Sequence, residues 1–220
     1  MSRAGEIAAN LAEVRARLEA AARRAGRDAS SVTLVAVTKT KPLEDLLAAY
    51  EAGVRHFGEN RVQEAEAKFP HLPTGAVRHL VGPIQSNKAN RAARLADVVH
   101  AVDSADIARR LARAAASEGK RLAAWVEVNT GGEETKAGVT PADAPALVEA
   151  VRALPELDLR GLMTIPPPGD TRPHFVALRR LAESLGLAGL SMGMSDDFEA
   201  AVEEGATVVR VGTALFGRRG

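Results

Sequence analysis

Short apolar runs alternate with amphipathic stretches along almost the whole chain. The apolar runs have the length and the Val, Leu and Ile content of buried strands, while the stretches between them repeat apolar residues at helical spacing. The predicted strands are VTLVAVT (32–38), VRHFGE (54–59), RHLVG (78–82), DVVHAVD (97–103), LAAWVEVN (122–129), LRGLMTI (159–165), AGLSMG (188–193) and TVVRVG (207–212).

A helical pattern follows each of the first seven strands. The predicted helices span 43–53, 61–69, 86–96, 104–119, 141–154, 172–186 and 196–205, with Ser86 as a candidate N-cap. Only TALFGRRG follows the eighth strand. An N-terminal helix ending near Gly26 carries Ile7, Leu11 and Val14 on one face, so we expect it to supply the missing eighth outer helix.

This alternation predicts the fold. Apolar strands separated by helices indicate parallel βαβ units, and eight such units predict a closed (β/α)8 TIM-type barrel in one domain, residues 1–220. The second choice is an open doubly wound sheet. No Gly-x-Gly-x-x-Gly follows the first strand, which disfavours the dinucleotide-binding form of that fold.

The amino-acid composition excludes several classes of protein. The 220 residues are 46% hydrophobic and 26% charged, with a formal net charge of +1, as in ordinary globular proteins. No basic stripe with interleaved aromatic residues suggests nucleic acid as the partner. The absence of cysteine excludes disulfides and thiolate chemistry. We find no signal-peptide segment and no run near the roughly 20 apolar residues that cross a membrane, so we expect a cytoplasmic protein.

Lys39 is the first candidate functional residue. The strand LVAV runs directly into Thr38, Lys39, Thr40, Lys41 and Pro42. Active sites of (β/α)8 barrels lie at the carboxyl ends of the strands, and a neutral lysine amine there can form a Schiff base with an aldehyde. The alternative is a solvated loop lysine.

The loops after the last two strands form a candidate phosphate site. Ser191, Ser195, Gly212 and Thr213 follow or end those strands, where hydroxyls and backbone N–H groups can bind an anion. Alternatively, the glycines only permit tight turns. Asp196 and Asp197 are close in sequence, and we expect them to cap the next helix and point outward.

Arg210 interrupts the apolar strand TVVRVG. If inward and outward residues alternate, Arg210 faces the barrel interior, where a cation needs an acceptor. An internal ion pair with Glu59 or Glu127 is the alternative to a ligand-binding role.

Three other motifs do not support a function. GLSMG matches the Gly-x-Ser-x-Gly nucleophile elbow, but the last histidine, His174, lies upstream of the serine. GGEETKAG lacks the Gly-Lys-Ser/Thr ending of a phosphate loop. The five histidines show no metal-ligand spacing, so no metal site is predicted.

Six stretches together resemble the single-domain pyridoxal phosphate homeostasis protein family, whose barrel resembles the N-terminal domain of alanine racemase. They are AVTKTKP, FGENRVQE, HLVGPIQSNKAN, EVNTGGEETKAGV, GLMTIPP and SMGMSDDFEAAVEEGATVVRVGTALFG, and they span nearly the whole chain in order. Two positions depart from the family pattern. Arg78 stands where an aromatic residue is typical, and Pro83 where an apolar residue is common.

The resemblance implies a bound pyridoxal 5′-phosphate (PLP) and a role for each site residue. Lys39 matches the Schiff-base lysine, and Arg210 matches the arginine that faces the pyridine nitrogen. The remaining matches are Asn60 near the cofactor ring with Met192 close to it, and Ser191, Ser195, Gly212 and Thr213 as the phosphate cup.

The implied function is PLP homeostasis rather than robust catalysis. A cationic arginine keeps the pyridine nitrogen unprotonated, which weakens the electron sink. The chain also has no evident second acid/base, because its only tyrosine is Tyr50 in the first helix after Lys39. We therefore predict a monomer that buffers PLP or delivers it to PLP-dependent apo-enzymes, with Lys41 and Lys136 as candidate secondary amines.

Three alternatives stay open at this point. The first is a weak PLP-dependent amino-acid racemase that uses Lys39 as its base. The second is a Schiff-base aldolase that acts on sugar phosphates without PLP. The third is a purely structural interaction protein, which leaves the predicted convergence of Lys39, Arg210 and Ser191 unexplained.

Overall fold

The computed structural model describes residues 2–133 and 136–217, and its strands form a closed parallel barrel. Met1, residues 134 and 135 within the EVNTGGEETKAGV stretch, and the final residues 218–220 (RRG) lie outside the described part. The strands are β1 Thr33–Val37, β2 His56–Glu59, β3 Val77–Leu80, β4 Val98–Val102, β5 Leu122–Glu127, β6 Leu157–Met163, β7 Gly189–Ser191 and β8 Val208–Val211. The predicted (β/α)8 barrel is confirmed.

Helices surround the barrel. In the described residues they are α1 Arg3–Arg24, α2 Leu43–Glu51, α3 Val62–Lys68, α4 Ala89–Leu95, α5 Ala105–Ser117, α6 Ala144–Arg152, α7 Arg172–Ser184, α8 Phe198–Glu203 and α9 Thr213–Phe216. None of the helices in the described ranges is long and apolar enough to cross a membrane.

The N-terminal helix α1 completes the outer layer, as predicted. Ser2 caps it by accepting a hydrogen bond from the backbone N–H of Gly5, and it ends before Gly26, whose φ of 65° suits glycine. Its buried face includes Ile7 and Leu11. The helix packs against α2 on one side and α8 on the other, so it occupies the position of an eighth outer helix.

Five of the seven predicted helices begin one to three residues later than predicted, and the starts of α4 and α5 show why. Ser86 is not the N-cap of α4, because residues Ser86–Lys88 form a 3-10 turn before that helix. Ser104 caps α5 and accepts a hydrogen bond from the backbone N–H of Ile107. In both cases the strand before the helix is the predicted one, and only the first turn differs.

The barrel has two hydrophobic regions. The larger lies between the strands and the helices and includes the fully buried Phe57 and Phe198. The smaller fills the barrel interior and consists of the buried residues Val35, Ala101, Trp125, Met163 and Val208. The interior above and beside this smaller cluster is polar. Buried polar side chains are unusual in a protein core, so this region is the candidate functional site.

Trp125 fits inside the barrel because the facing strands carry glycine. A Cβ atom on Gly189 would lie 2.8 Å from two carbons of the Trp125 ring and would collide with the carbonyl oxygen of Arg160. These neighbours are a rigid ring and backbone, which cannot move aside cheaply.

We therefore expect Gly189→Ala to lower the free energy of unfolding by about 3 kcal/mol, because the added methyl overpacks the β6–β7 pair. Chemical denaturation monitored by circular dichroism measures the change. Gly5→Ala in α1 is the control, because alanine is the better helix former and should cost nothing. Equal stability of Gly189→Ala and wild type would contradict the packing argument.

Candidate functional site

A cavity of about 500 Å³ opens at the carboxyl ends of the strands. The described residues that line it are Val37, Lys39, Thr40, Lys41, Asn60, Val81, Ile165, Met194, Ser195, Asp196, Arg210, Gly212, Thr213 and Gly217. They come from loops or strand ends on both sides of the β1–β8 junction. Six of the eight predicted cofactor-binding residues are therefore brought to one cavity.

Lys39 lies on the cavity wall in a turn directly after β1. The turn is closed by a hydrogen bond from the backbone N–H of Lys41 to the carbonyl oxygen of Thr38. Thr40 has a φ of 63°, a left-handed conformation that a β-branched residue rarely adopts. The backbone beside Lys39 is therefore strained, and other contacts must hold it.

A buried charge network on the outer side of the barrel supplies those contacts. Lys68 of α3 donates hydrogen bonds to the carbonyl oxygen of Thr38 at 2.9 Å, to Glu59 Oε1 at 2.8 Å and to Glu64 Oε2 at 3.1 Å. The Thr38 hydroxyl also donates to Glu59 Oε1, at 2.7 Å. The residue before Lys39 is thus fixed through both its carbonyl and its side chain.

The residue after Lys39 is held by the same network. The backbone N–H of Thr40 donates to Glu64 Oε2 at 2.7 Å. Burial raises the pKa of Glu59, and the hydrogen bonds from Lys68 and Thr38 oppose that rise. We call Lys68, Glu59 and Glu64 the clamp, because together they fix both neighbours of Lys39.

Arg210 points into the barrel, as the alternation predicted, and is one of the residues that line the cavity. It is almost fully buried, and it donates to Ser191 Oγ at 2.7 Å and to the carbonyl oxygen of Thr164 at 2.9 Å. Burial lowers the pKa of Arg210 to about 10, so the side chain is still a cation at neutral pH.

Glu127 is the acid that faces this cation inside the barrel mouth. Burial, and then the nearby charge of Asp103, raise the pKa of Glu127 to about 7, while Arg210 opposes the rise. Among the described residues, Glu127 Oε2 has no hydrogen-bond partner. Glu59 instead pairs with Lys68, so of the two predicted partners only Glu127 lies within electrostatic reach of Arg210.

Ser195, Gly212 and Thr213 form one polar corner of the cavity. Ser195 Oγ accepts hydrogen bonds from the backbone N–H groups of Gly212 at 3.2 Å and Ala214 at 3.1 Å. Because both lone pairs of this oxygen are then occupied, its hydroxyl proton is left to donate to a group in the cavity. Asp196 also lines this corner but is exposed to solvent.

Asn60 reaches the cavity directly after β2, beside Val81. A Cβ atom on Gly82 would collide with the carbonyl oxygen of Asn60, so glycine lets the ends of β2 and β3 approach closely. That approach places Asn60 on the same wall as Lys39.

The structure does not bring the side chains of Ser191 and Met192 to the cavity. Ser191 is fully buried inside the barrel, where its hydroxyl contacts Arg210 and His100. Met192 directly follows the inward-pointing Ser191, so its side chain points outward toward the helices. It is fully buried in the larger hydrophobic region. Met194, two residues further on, is the methionine that lines the cavity.

The two candidate secondary amines have different surroundings. Lys41 lines the cavity and donates to the carbonyl oxygens of Phe216 and Gly217 at 3.1 and 3.2 Å. Lys136 is not among the described lining residues and forms an ion pair with Glu133 at 3.0 Å.

Several site residues were not found by sequence reasoning. Met194, Ile165 and Val81 give the cavity an apolar wall, and the clamp residue Lys68 lies on a helix that carries no motif. The alternation along the strand after Ser191 could have identified Met194. No local pattern predicts that Lys68 reaches the backbone of Thr38.

Comparisons with known proteins agree with this barrel. The sequence profile described as "Alanine racemase, N-terminal domain" matches residues 9–220. The pyridoxal phosphate homeostasis protein of Pseudomonas aeruginosa is 50% identical over 222 residues, which cover 97% of this chain and 96% of the relative. The protein of the same name from Escherichia coli is 42% identical over 227 residues, with 97% of each chain covered.

A solved structure covers nearly the same length. PipY of Synechococcus elongatus, in the crystal structure with PLP bound, is 40% identical and superposes with a TM-score of 0.83. The match covers 96% of this chain and all of PipY.

The buried carboxyl group of Glu127 generates a prediction about stability and pH. Its pKa is raised from 4.5 to about 7 on folding, so between these values the folded state holds more protons than the unfolded state. The free energy of unfolding must therefore fall as pH rises through this window, by on the order of 3 kcal/mol from this group.

Glu127→Gln cannot ionise, so we expect it to match wild type at pH 5 and to be more stable than wild type at pH 8. Urea denaturation across this pH range measures the difference. Glu118→Gln, at an exposed glutamate, should keep the wild-type pH dependence. A Glu127→Gln curve parallel to that of wild type would show that Glu127 does not titrate in this window.

Proposed function

We propose a function from the premise that this chain belongs to the alanine racemase N-terminal domain family, among the pyridoxal phosphate homeostasis proteins. The chain binds PLP in the cavity at the barrel mouth and serves PLP homeostasis by buffering or delivering the cofactor. One observation carries the proposal: Lys39, Arg210 and the Ser195 corner line a single cavity of about 500 Å³.

The lining residues fit the chemical groups of PLP. The Lys39 amine is the group that would bond covalently to the aldehyde. The Arg210 guanidinium is the cation for the pyridine nitrogen, and Asn60 is a ring contact. The Ser195 hydroxyl and the backbone N–H of Thr213 would bind the phosphate, while the Gly212 N–H holds the Ser195 oxygen in place. In this proposal Ser191 acts through Arg210, and Met192 supports the wall from behind.

The charge of Arg210 favours holding the cofactor over using it. When bound, PLP supplies an electron sink that is strongest with a protonated pyridine nitrogen. Arg210 is a cation that donates hydrogen bonds, so it disfavours a proton on a nitrogen beside it. Its donors to Ser191 and Thr164 keep it in place at the cavity floor.

To deliver PLP, the protein needs an opening from the cavity to solvent and a single site that the recipient enzyme can reach. The cavity opens to solvent, as exposed Asp196 and Met194 on its rim indicate. We propose that the protein works as a monomer and passes PLP to PLP-dependent apo-enzymes. Lys41 is better placed than Lys136 to assist release, because only Lys41 is on the cavity wall.

Lys39→Ala should abolish covalent binding of PLP, because it removes the amine proposed to react with the aldehyde while the clamp still fixes the turn. Purified wild type with added PLP should give an absorbance band near roughly 420 nm that collapses with borohydride, and peptide mapping should place the adduct on Lys39. Lys136→Ala is the matched control and should keep both signals. A stable adduct on another lysine in wild type would overturn the assignment of Lys39.

Loaded wild-type protein should reactivate a PLP-dependent apo-enzyme faster than the same protein after borohydride reduction, because reduction makes the bond to Lys39 permanent. Recovery of the apo-enzyme's activity measures the transfer. Equal recovery from reduced and unreduced protein would argue against delivery from this site. Loss of optical rotation of L- or D-alanine with the loaded protein alone would instead support the racemase alternative.

A further inference from the structure

Three histidines form a hydrogen-bonded row across the barrel interior. They lie on neighbouring strands, with His56 at the start of β2, His79 on β3 and His100 on β4. His56 Nδ1 is 3.0 Å from His79 Nε2, and His79 Nδ1 is 2.9 Å from His100 Nε2. His79 and His100 are buried, while His56 is half-buried and lines a groove on the opposite face of the barrel.

The row continues to the cavity. His100 Nδ1 is 2.9 Å from Ser191 Oγ, which accepts a hydrogen bond from Arg210 Nη1 at 2.7 Å. His100 also stacks on Trp125, with 5.5 Å between ring centroids and 4° between ring planes. The stack fixes the plane of the imidazole, and the contacts of its two nitrogens with His79 and Ser191 lie in that plane.

Arg210 determines which atom donates and which accepts in every hydrogen bond of the row. Arg210 can only donate, so the Ser191 oxygen must accept from it. In the described part of the chain the Ser191 hydroxyl contacts Arg210 and His100 alone. If His100 donated as well, the buried hydroxyl proton of Ser191 would have no acceptor, which is costly. Ser191 therefore donates to His100 Nδ1.

The remaining protons follow from that assignment. With Nδ1 of His100 accepting, its Nε2 carries the proton and donates to His79 Nδ1. His79 then donates from Nε2 to His56 Nδ1. His79 and His100 then each make one donor and one acceptor contact, and His56 accepts at Nδ1, so all three are neutral Nε2–H tautomers. Burial supports this, because it lowers the pKa of His79 to about 3 and that of His100 well below its ordinary range.

We propose that His100, oriented by His79 and His56, is a positioning residue that holds the Ser191 hydroxyl and through it the Arg210 guanidinium in the cavity. The consequence for PLP binding rests on the function proposed above, whereas the tautomer order does not. An apolar side chain could fill this space at similar stability, but it could not direct the Ser191 proton away from Arg210.

The first experiment uses the PLP-free protein. Nitrogen-15 NMR of the histidine side chains at neutral pH distinguishes the two neutral tautomers and the cation. We expect Nε2–H tautomers for His56, His79 and His100. An Nδ1–H tautomer or a cation at His100 would overturn the proposal even if PLP binds as proposed.

The second experiment compares two replacements of His100. His100→Phe keeps a ring against Trp125 but removes the acceptor, so we expect PLP affinity to fall about tenfold. His100→Asn places an amide oxygen near the Nδ1 position and should recover most of that loss. His71→Asn, at an exposed histidine, is the control and should bind PLP as wild type does.

The outcomes distinguish the positioning role of His100 from the proposed binding of PLP. If wild type binds PLP and both His100 variants bind it equally well with wild-type folding, His100 does not position Arg210. If wild type itself fails to bind PLP, the proposed function fails, and the NMR result still decides the hydrogen-bond order. If His100→Phe does not fold, Ser191→Ala in the NMR experiment replaces it: loss of the tautomer preference at His100 supports the row, and an unchanged preference opposes it.

Discussion

The pairing of β1 with β8 is the constraint on which the rest of the site depends. It closes the barrel and aligns Val35 with Arg210. Closure is what makes the end of the first strand and the end of the last strand neighbours. Lys39, which follows β1, and Gly212, which follows β8, therefore share one cavity although they lie at opposite ends of the sequence. Without closure the amine and the guanidinium would lie on opposite edges of a sheet.

Closure places Lys39, but the clamp fixes its geometry. Thr40 occupies a conformation that costs free energy, and Glu59 and Lys68 are buried charges that are costly to desolvate. An apolar contact between α3 and the strand ends would be cheaper to form. Such a contact could not bind the carbonyl of Thr38 and the amide of Thr40 at the same time. The network therefore lowers the stability of the fold but fixes the conformation of the turn.

The interior of this barrel is organised around one cation. Arg210 has a carbonyl and a hydroxyl as acceptors, a row of three histidines behind the hydroxyl, and the poorly solvated Glu127 opposite. Because Glu127 is partly protonated near neutral pH, it does not fully neutralise the guanidinium. A fixed positive charge at the cavity floor suits retention of an anionic, aldehyde-bearing cofactor better than the proton transfers of a fast racemase.

The sequence by itself determined the eight strands, the barrel and six of the lining residues, because strand and helix periodicities are local and the ends of parallel strands meet at one face. It also predicted that Arg210 points inward. Only the tertiary structure decided that Ser191 lies beneath the cavity and that Met194 rather than Met192 lines it. It also decided that Lys68 binds the carbonyl of Thr38 and that His100 contacts Ser191. Those contacts join residues far apart in sequence, and their geometry depends on strand stagger and on where each turn ends.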